Sequence, residues 1–322
     1  MIAISISLLT YTNYQIKQPL NISKTQLFTV TDGISFHGFS KVLTHNGWLE
    51  NRFWLRNYIR LNPELANIKA GTYQIEEKTT LLSLLEQLVA GKEHQFSVTF
   101  IEGSTFKEWL MLLNNTDNLV HHLNKNSVAE IAEKLAINHK NPEGLFYPDT
   151  YAFTANTSDI EILKRAQQKM SRELTNAWQN KDENLPYKDK YQALIMASII
   201  EKESGRHAEH GIISSVFINR LNKKMRLQTD PTVIYGLGER YKGDITYRHL
   251  REKTAYNTYR INGLPPTPIA MAGKSALHAA LNPLATNYLY FVSNGEGKHI
   301  FSTNLKDHNA AVSKYQLSRK TN

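Results

Sequence analysis

The chain has 322 residues, 41% of them hydrophobic, which suits two domains or one large one around a real core. With 38 Lys and Arg against 29 Asp and Glu, the net charge of +9 favours an anionic partner such as nucleic acid, a membrane surface or an acidic polymer. The basic residues are scattered and no nucleic-acid motif is present, so nothing supports nucleic acid; zero cysteines exclude disulfides, thiol catalysis and Cys-ligated metal.

The opening run "MIAISISLLTY" is apolar but short of the roughly 20 residues that span a bilayer. It has neither a basic start nor a small-residue cleavage site. A buried strand, a weak signal-anchor and the tail of a longer anchor all fit it. Next, "TQLFTVTDGISFHGFSKVL" predicts a strand, a turn at Asp32-Gly33 and a helix, and "NRFWLRNYIRLNP" an amphipathic helix stopped by Pro63. "IKAGTYQI" reads as a short strand, and "TTLLSLLEQLVAGK" as a helix with Thr at its start and Gly91 at its end. "HQFSVTFIEGSTFKEWLMLLNN" repeats the strand, turn and helix order, a weak internal repeat. Residues 127–140 and 158–180 read as helices, separated by the Pro- and aromatic-rich loop "NPEGLFYPDTYAFT", and "NKDENLPYKDK" reads as a linker. Helices follow in "YQALIMASIIEKESG" and "GIISSVFINRLNKKM". In "LQTDPTVIYGLG" a third begins, with Asp230 able to cap and Pro231 in the first turn. "LYFVSNGEGKHIFSTN" predicts a hairpin around an Asn-Gly-containing turn, and a last helix closes the chain. The class is α+β, without βαβ alternation or a Gly-rich phosphate loop.

Two glutamates end the apolar helix before Gly205. At about 100° per residue, Met196, Ile199 and Ile200 fall within roughly 60° of Glu203, while Glu201 lies about 160° away. Glu201 is thus expected in solvent, and Glu203 on the apolar stripe. Desolvation raises a carboxyl's pKa and lets it hold a proton near neutral pH, as a general acid must. Alternatively, Glu203 merely ends the stripe and reaches water. Glu203, His207 and His210 fall at spacings of four and three, but zincin spacing is absent and Gly205 interrupts the helix, so no metal is expected. Ser204 lacks the Gly-x-Ser-x-Gly setting of a nucleophile. The Tyr- and Asn-rich stretches near residues 234, 256 and 288 fit either loops packed on the core or a sugar-binding cleft, and a sugar cleft with one raised carboxyl points to a glycosidic bond.

These blocks carry a resemblance. "ASIIEKESG", "VFINRL", "LQTDPTVIYGLGERY", "AYNTYRINGLPPTPIA" and "YLYFVSNGEGKHIFSTNLKDHN", with "EGLFYPDTY", "KAGTYQI" and "LVAGK" upstream, closely resemble the YceG-like family of endolytic murein transglycosylases over nearly everything after about residue 25. The resemblance implies a short or truncated membrane anchor over 1–22, a LysM-like α/β region over 23–146 and a mixed α+β catalytic domain over 147–322, with the catalytic Glu at a helix end. It implies a lyase that cleaves nascent peptidoglycan strands internally and leaves 1,6-anhydro-muramic acid ends, without cofactor. Glu203 matches the family's catalytic glutamate. Glu143, Ser204, Gln228, Thr229, Asp230, Tyr235, Tyr256, Asn257 and Tyr259 match family blocks and are the expected substrate-binding residues, although Glu143 fits a loop-bracing role equally and Asp230 a helix cap. Implied too are peptidoglycan synthases as partners and a single-pass place in the bacterial inner membrane with the catalytic domain periplasmic. The competing readings are a hydrolytic muramidase and a non-catalytic glycan-binding protein of cell-wall assembly.

Overall fold

Hydroxyl caps and glycine stops set the limits of many elements. The computed structural model describes residues 2–317, in two compact units. The first holds the chain up to Ser97 together with Ala152–Thr157. In it, α1 (Ile2–Ile16) precedes β1 (Gln26–Val30), α2 (Phe36–His45), α3 (Phe53–Leu61), β2 (Gly71–Ile75) and α4 (Leu81–Ala90). Strands β1 and β2 pair antiparallel, Gln26 opposite Ile75 and Val30 opposite Gly71. Ser35 caps α2 by accepting the Gly38 N–H; Thr80 caps α4 in a reciprocal box with Ser83, and Gly91 ends α4 in the left-handed region at φ 68°. Phe28, Phe39, Leu43, Tyr73, Ile75, Leu84, Leu85 and Leu88 form the core of this unit.

The opening run is a helix, not a strand. It forms α1, whose Ile16 is fully buried and whose Tyr11 meets Trp54 edge-on at 4.9 Å between ring centroids. Its 15 residues rise about 22 Å, against the roughly 30 Å of a bilayer's hydrocarbon core. Among the described residues no helix is long and apolar enough to cross a membrane. This overturns the expected single-pass place in the inner membrane.

The chain leaves the first unit along β3 (Phe96–Thr99) and re-enters it along the paired β4 (Thr150–Phe153), a strand inside the stretch expected to be loop. The second unit contains α5 (Phe106–Asn114), α6 (Val128–Lys134), α7 (Asp159–Gln179), α8 (Lys190–Glu203), α9 (His207–Asn222), α10 (Asp230–Leu237), α11 (Tyr247–Arg251) and α12 (Lys274–Leu281). A hairpin of β5 (Tyr290–Ser293) and β6 (His299–Ser302) follows, then α13 (Leu305–Val312). Helix α8 is its axis, with α7, α9, α10 and α12 packed on it. Residues Ala193 through Glu201 are all buried, and small side chains on α12 (Ala276, Ala280) let the two helices approach closely. The hairpin is antiparallel, Tyr290 opposite Ser302 and Ser293 opposite His299. The protein is thus mixed α+β, with helices around one buried axis and only two-stranded sheets among the described residues.

Gly144 tests this packing. Its φ is +79°, and an added Cβ would stand 2.3 Å from Pro268 Cβ. Gly144→Ala should cost about 2 kcal/mol or more, read as a lower urea midpoint at unchanged slope.

Candidate active site

Helix α8 ends at Glu203 because Ser204 turns to extended backbone at φ −146° and ψ 126°. The second element of the site is the start of α10. Thr229 is its N-cap residue and Asp230 its first helical residue, so the cap falls one place earlier than the sequence suggested. A capping Thr would ordinarily accept a backbone N–H at N2 or N3. Here the hydroxyl makes no such bond and donates to Glu203 Oε1 instead. Thr229 is held by two other buried hydroxyls: its N–H donates to Thr258 Oγ1 at 3.0 Å, and Thr232 Oγ1 donates to its carbonyl at 2.7 Å. The Thr232 and Thr258 hydroxyls bond each other at 2.9 Å. This knot fixes where the Glu203 carboxyl points.

Burial pushes the Glu203 carboxyl up to about 7, against the Thr229 hydrogen bond; Asp230 adds to the rise and the Arg220 charge opposes it. By surface area Glu203 is half-buried because one side opens on a cleft, while by depth its carboxyl is enclosed by protein. The open side governs access and the depth governs the cost of charge. The cleft, about 560 Å³, is bounded by Glu203, Gln228, Asp230 and Tyr259 on one side and by the β5–β6 hairpin and α13 on the other. Tyr259 donates its hydroxyl to Asp230 Oδ1 at 2.7 Å, and Gln228 holds a left-handed φ of 54°, unusual outside glycine.

The expected substrate-binding residues fall into two groups. Gln228, Asp230 and Tyr259 line the cleft and Thr229 bonds Glu203. The others brace the surrounding structure. Glu143 is 3% exposed and accepts the Phe106 N–H at 2.9 Å and the Tyr235 hydroxyl at 3.2 Å. Tyr256 bonds Thr267 at 2.8 Å, and the Asn257 amide donates to the carbonyls of His249, Leu250 and Glu252. Ser204 is buried behind Glu203, with its hydroxyl accepting the Arg206 N–H at 3.1 Å.

One expectation is corrected. Glu201 is not in solvent: it is 9% exposed and accepts the Gly273 N–H at 2.9 Å. The helical wheel assumed one wet face, but α8 is packed all round. Burial raises the Glu201 pKa, with the Gly273 bond opposing. Nor do Glu203, His207 and His210 gather. His210 Nε2 bonds the Ser204 carbonyl at 2.8 Å, and the grouping with metal-capable atoms within 4.8 Å of one another is Glu102, Glu201 and His207.

Sequence reasoning missed the opposite wall. Arg220, Tyr290, His299 and His308 all line the cleft. Arg220 had left a signal, a lone cation in the apolar helix "VFINRL", and Tyr290 lies in the Tyr-rich stretch near residue 288; His299 and His308 left none, because only the hairpin's return brings them to Glu203.

A mixed α+β protein with one raised carboxyl at a helix end over an open cleft is the class this geometry defines. The YceG-like family model matches residues 28–314, and the chain belongs to that family. It is 31% identical over 321 residues to an endolytic murein transglycosylase of Bacillus subtilis (strain 168), covering 92% of this chain and 87% of that protein. An endolytic murein transglycosylase of Streptococcus pneumoniae serotype 2 (strain D39 / NCTC 7466) is 28% identical over 183 residues, covering 55% of this chain and 33% of that protein. A 2.6 Å crystal structure of a YceG-like protein from Listeria monocytogenes matches with a TM-score of 0.53 and 31% identity, covering 89% of this chain and 99% of that one.

Burial raises Glu143 to about 7 as well, with the Phe106 and Tyr235 bonds opposing. A carboxyl whose folded pKa lies above its ordinary value near 4.5 keeps its proton where the unfolded chain has lost it. Its contribution is complete below about pH 4.5 and falls as pH rises to about 7. Glu143→Gln should therefore gain on the wild type by on the order of 3 kcal/mol between pH 4.5 and pH 8 in urea unfolding. A difference that does not change with pH would remove Glu143 from that role.

Proposed function

We propose that this protein is an endolytic peptidoglycan lytic transglycosylase in which Glu203 is the single acid and base. The observation that carries the reading is the Glu203 carboxyl, desolvated to a pKa of about 7, oriented by Thr229 and open on one side to the cleft. The relatives named above, the Bacillus protein over most of its length, support the substrate and the bond cleaved. In the same reading 23–146 is a LysM-like region, 147–322 carries the catalysis, and peptidoglycan synthases supply the strands.

The chemistry follows from one carboxyl. The Thr229 hydroxyl donates to Oε1, so the acidic proton of Glu203 resides on Oε2. Glu203 gives that proton to the glycosidic oxygen as the bond from C1 of the muramic acid breaks, and the departing strand keeps a hydroxyl. Positive charge develops at C1. The ionised Glu203 then takes the proton of the same sugar's 6-hydroxyl as that oxygen bonds C1, closing the 1,6-anhydro ring and restoring the acid. No water is consumed. A tethered hydroxyl reaches effective molarities of about 10⁵ M or more and outcompetes water at about 55 M. The carboxyl that favours a hydrolytic muramidase instead is Asp230, which lines the same cleft; it is already engaged by Tyr259.

Glu203→Gln should abolish cleavage of purified glycan with folding intact, by at least about 10³-fold, because an amide neither donates nor retrieves the proton. Digestion in heavy-oxygen water separates the two chemistries: anhydro ends carry no label, whereas hydrolytic ends gain one heavy oxygen. Mainly labelled, reducing ends would reassign the enzyme as a muramidase.

The acid must be protonated to start the reaction. The rate at low substrate concentration should therefore fall on the alkaline side, with a midpoint near pH 7, by about tenfold per pH unit above it. A profile flat to pH 9 would remove Glu203 from the acid role.

A further inference from the structure

Arg220 is a buried cation with no ion-pair partner among the described residues; Glu203, which shares the cleft, feels its charge but does not contact it within 4.0 Å. Arg220 is 8% exposed, yet it lines the Glu203 cleft. Its Nε donates to the Leu289 carbonyl at 2.6 Å, and Nη1 donates to the carbonyls of Leu227 at 2.8 Å and Arg226 at 3.3 Å and to Gln228 Oε1 at 3.4 Å. Every acceptor is neutral. Among the described residues no carboxylate stands within 4.0 Å, and Nη2 has no acceptor. A desolvated guanidinium with unused donors is costly unless an anion completes it, and its planar fork matches a carboxylate.

Its surroundings extend the same feature. The guanidinium lies over the Tyr290 ring at 5.0 Å, and Tyr290 stacks with His308 at 5.2 Å and 24°. Among the described residues His308 Nδ1 is buried without a partner, and burial, then the Arg220 charge, lowers the affinity of that ring for a proton. Arg220, Tyr290 and His308 all share the cleft with Glu203. A hairpin brace accounts for the bond to Leu289. It does not account for a charge left unpaired on the wall of the cleft.

We propose that Arg220, flanked by His308, forms a carboxylate-binding subsite of this cleft, and that its ligand is a carboxylate borne by the muramoyl substituent. On a peptide-free strand that is the lactyl carboxylate; on a substituted strand it is a stem-peptide carboxylate. The proposal rests on reading the cleft as a glycan site. Binding there recognises muramoyl strands over neutral chitin-like ones and places the muramic acid, rather than the glucosamine, with C1 at Glu203.

The test is binding without turnover. Glu203→Gln protein is titrated calorimetrically with a muramoyl-glucosaminyl oligosaccharide bearing a free lactyl carboxylate, with its neutral methylamide, and with the peptide-bearing form and its amidated counterpart. At least one acid should bind about tenfold or more tightly than its neutral partner, and which pair discriminates identifies the source. Adding Arg220→Gln should erase that ratio while leaving the affinity for the neutral form. If that variant does not fold, the His308 ring resonances of the parent protein decide the location: they move with the preferred acid and stay still with its amide. Equal affinities within both pairs, a preference that survives Arg220→Gln, or His308 signals indifferent to the acid would each overturn the subsite. The two readings fail separately. Anhydro ends from the wild type without any preference remove the subsite and leave the activity; a preference without anhydro ends does the reverse.

Discussion

The hydrogen bond from the Thr229 hydroxyl to Glu203 joins segments 26 residues apart, and the geometry of the cleft depends on it. It uses the group that would otherwise cap α10, and the Thr229 backbone is held instead by the Thr258 and Thr232 hydroxyls. It also fixes one oxygen of a carboxyl that terminates α8, so the other is available on the open side. A desolvated carboxyl free to rotate would hold a proton without presenting it to a substrate; this one is held in a single orientation by a buried network of hydroxyls.

Helix α9 builds the facing wall. Asn219 donates to the carbonyls of Thr286 and Tyr288, and Arg220 donates to Leu289, so two adjacent residues fasten the strand that leads into the hairpin. Near the start of α9, Glu209 accepts the His299 N–H at 3.1 Å and bonds its Nδ1 at 2.7 Å, fastening the second strand. Burial works against the Glu209 charge, yet the His299 bonds hold its pKa below the ordinary carboxylate value. The hairpin has little core of its own, and its position over Glu203 is set by these polar ties to the helix that follows the proposed acid.

Three buried carboxyls illustrate why a raised pKa does not identify an acid. Glu143, Glu201 and Glu203 are all shifted upward, each chiefly by burial. Glu143 accepts the first N–H of α5 and the Tyr235 hydroxyl, and Glu201 accepts the N–H of Gly273 at the start of α12. Both spend their oxygens on the fold. Glu203 takes a side-chain donor on one oxygen and faces the cleft with the other, and access separates it from the rest.

By itself the sequence determined the mixed α+β class, the strand, turn and helix order of residues 26–114, the closing hairpin and Glu203 as the carboxyl to consider. These are local properties: apolar periodicity, hydroxyl caps before helices and glycine after them act over a few residues. The tertiary structure decided the rest. It buried Glu201, because α8 is enclosed by four helices and a wheel with one wet face does not describe it. It turned Ile2–Ile16 into a helix too short to cross a bilayer and seated on α3, since an isolated apolar run does not declare its partner. It withdrew Glu143, Tyr235, Tyr256 and Asn257 into bracing contacts and brought Arg220, Tyr290, His299 and His308 to the cleft instead. Those four lie between 17 and 105 residues from Glu203 along the chain, and only the packing of α9 and the hairpin makes them neighbours of the same cavity.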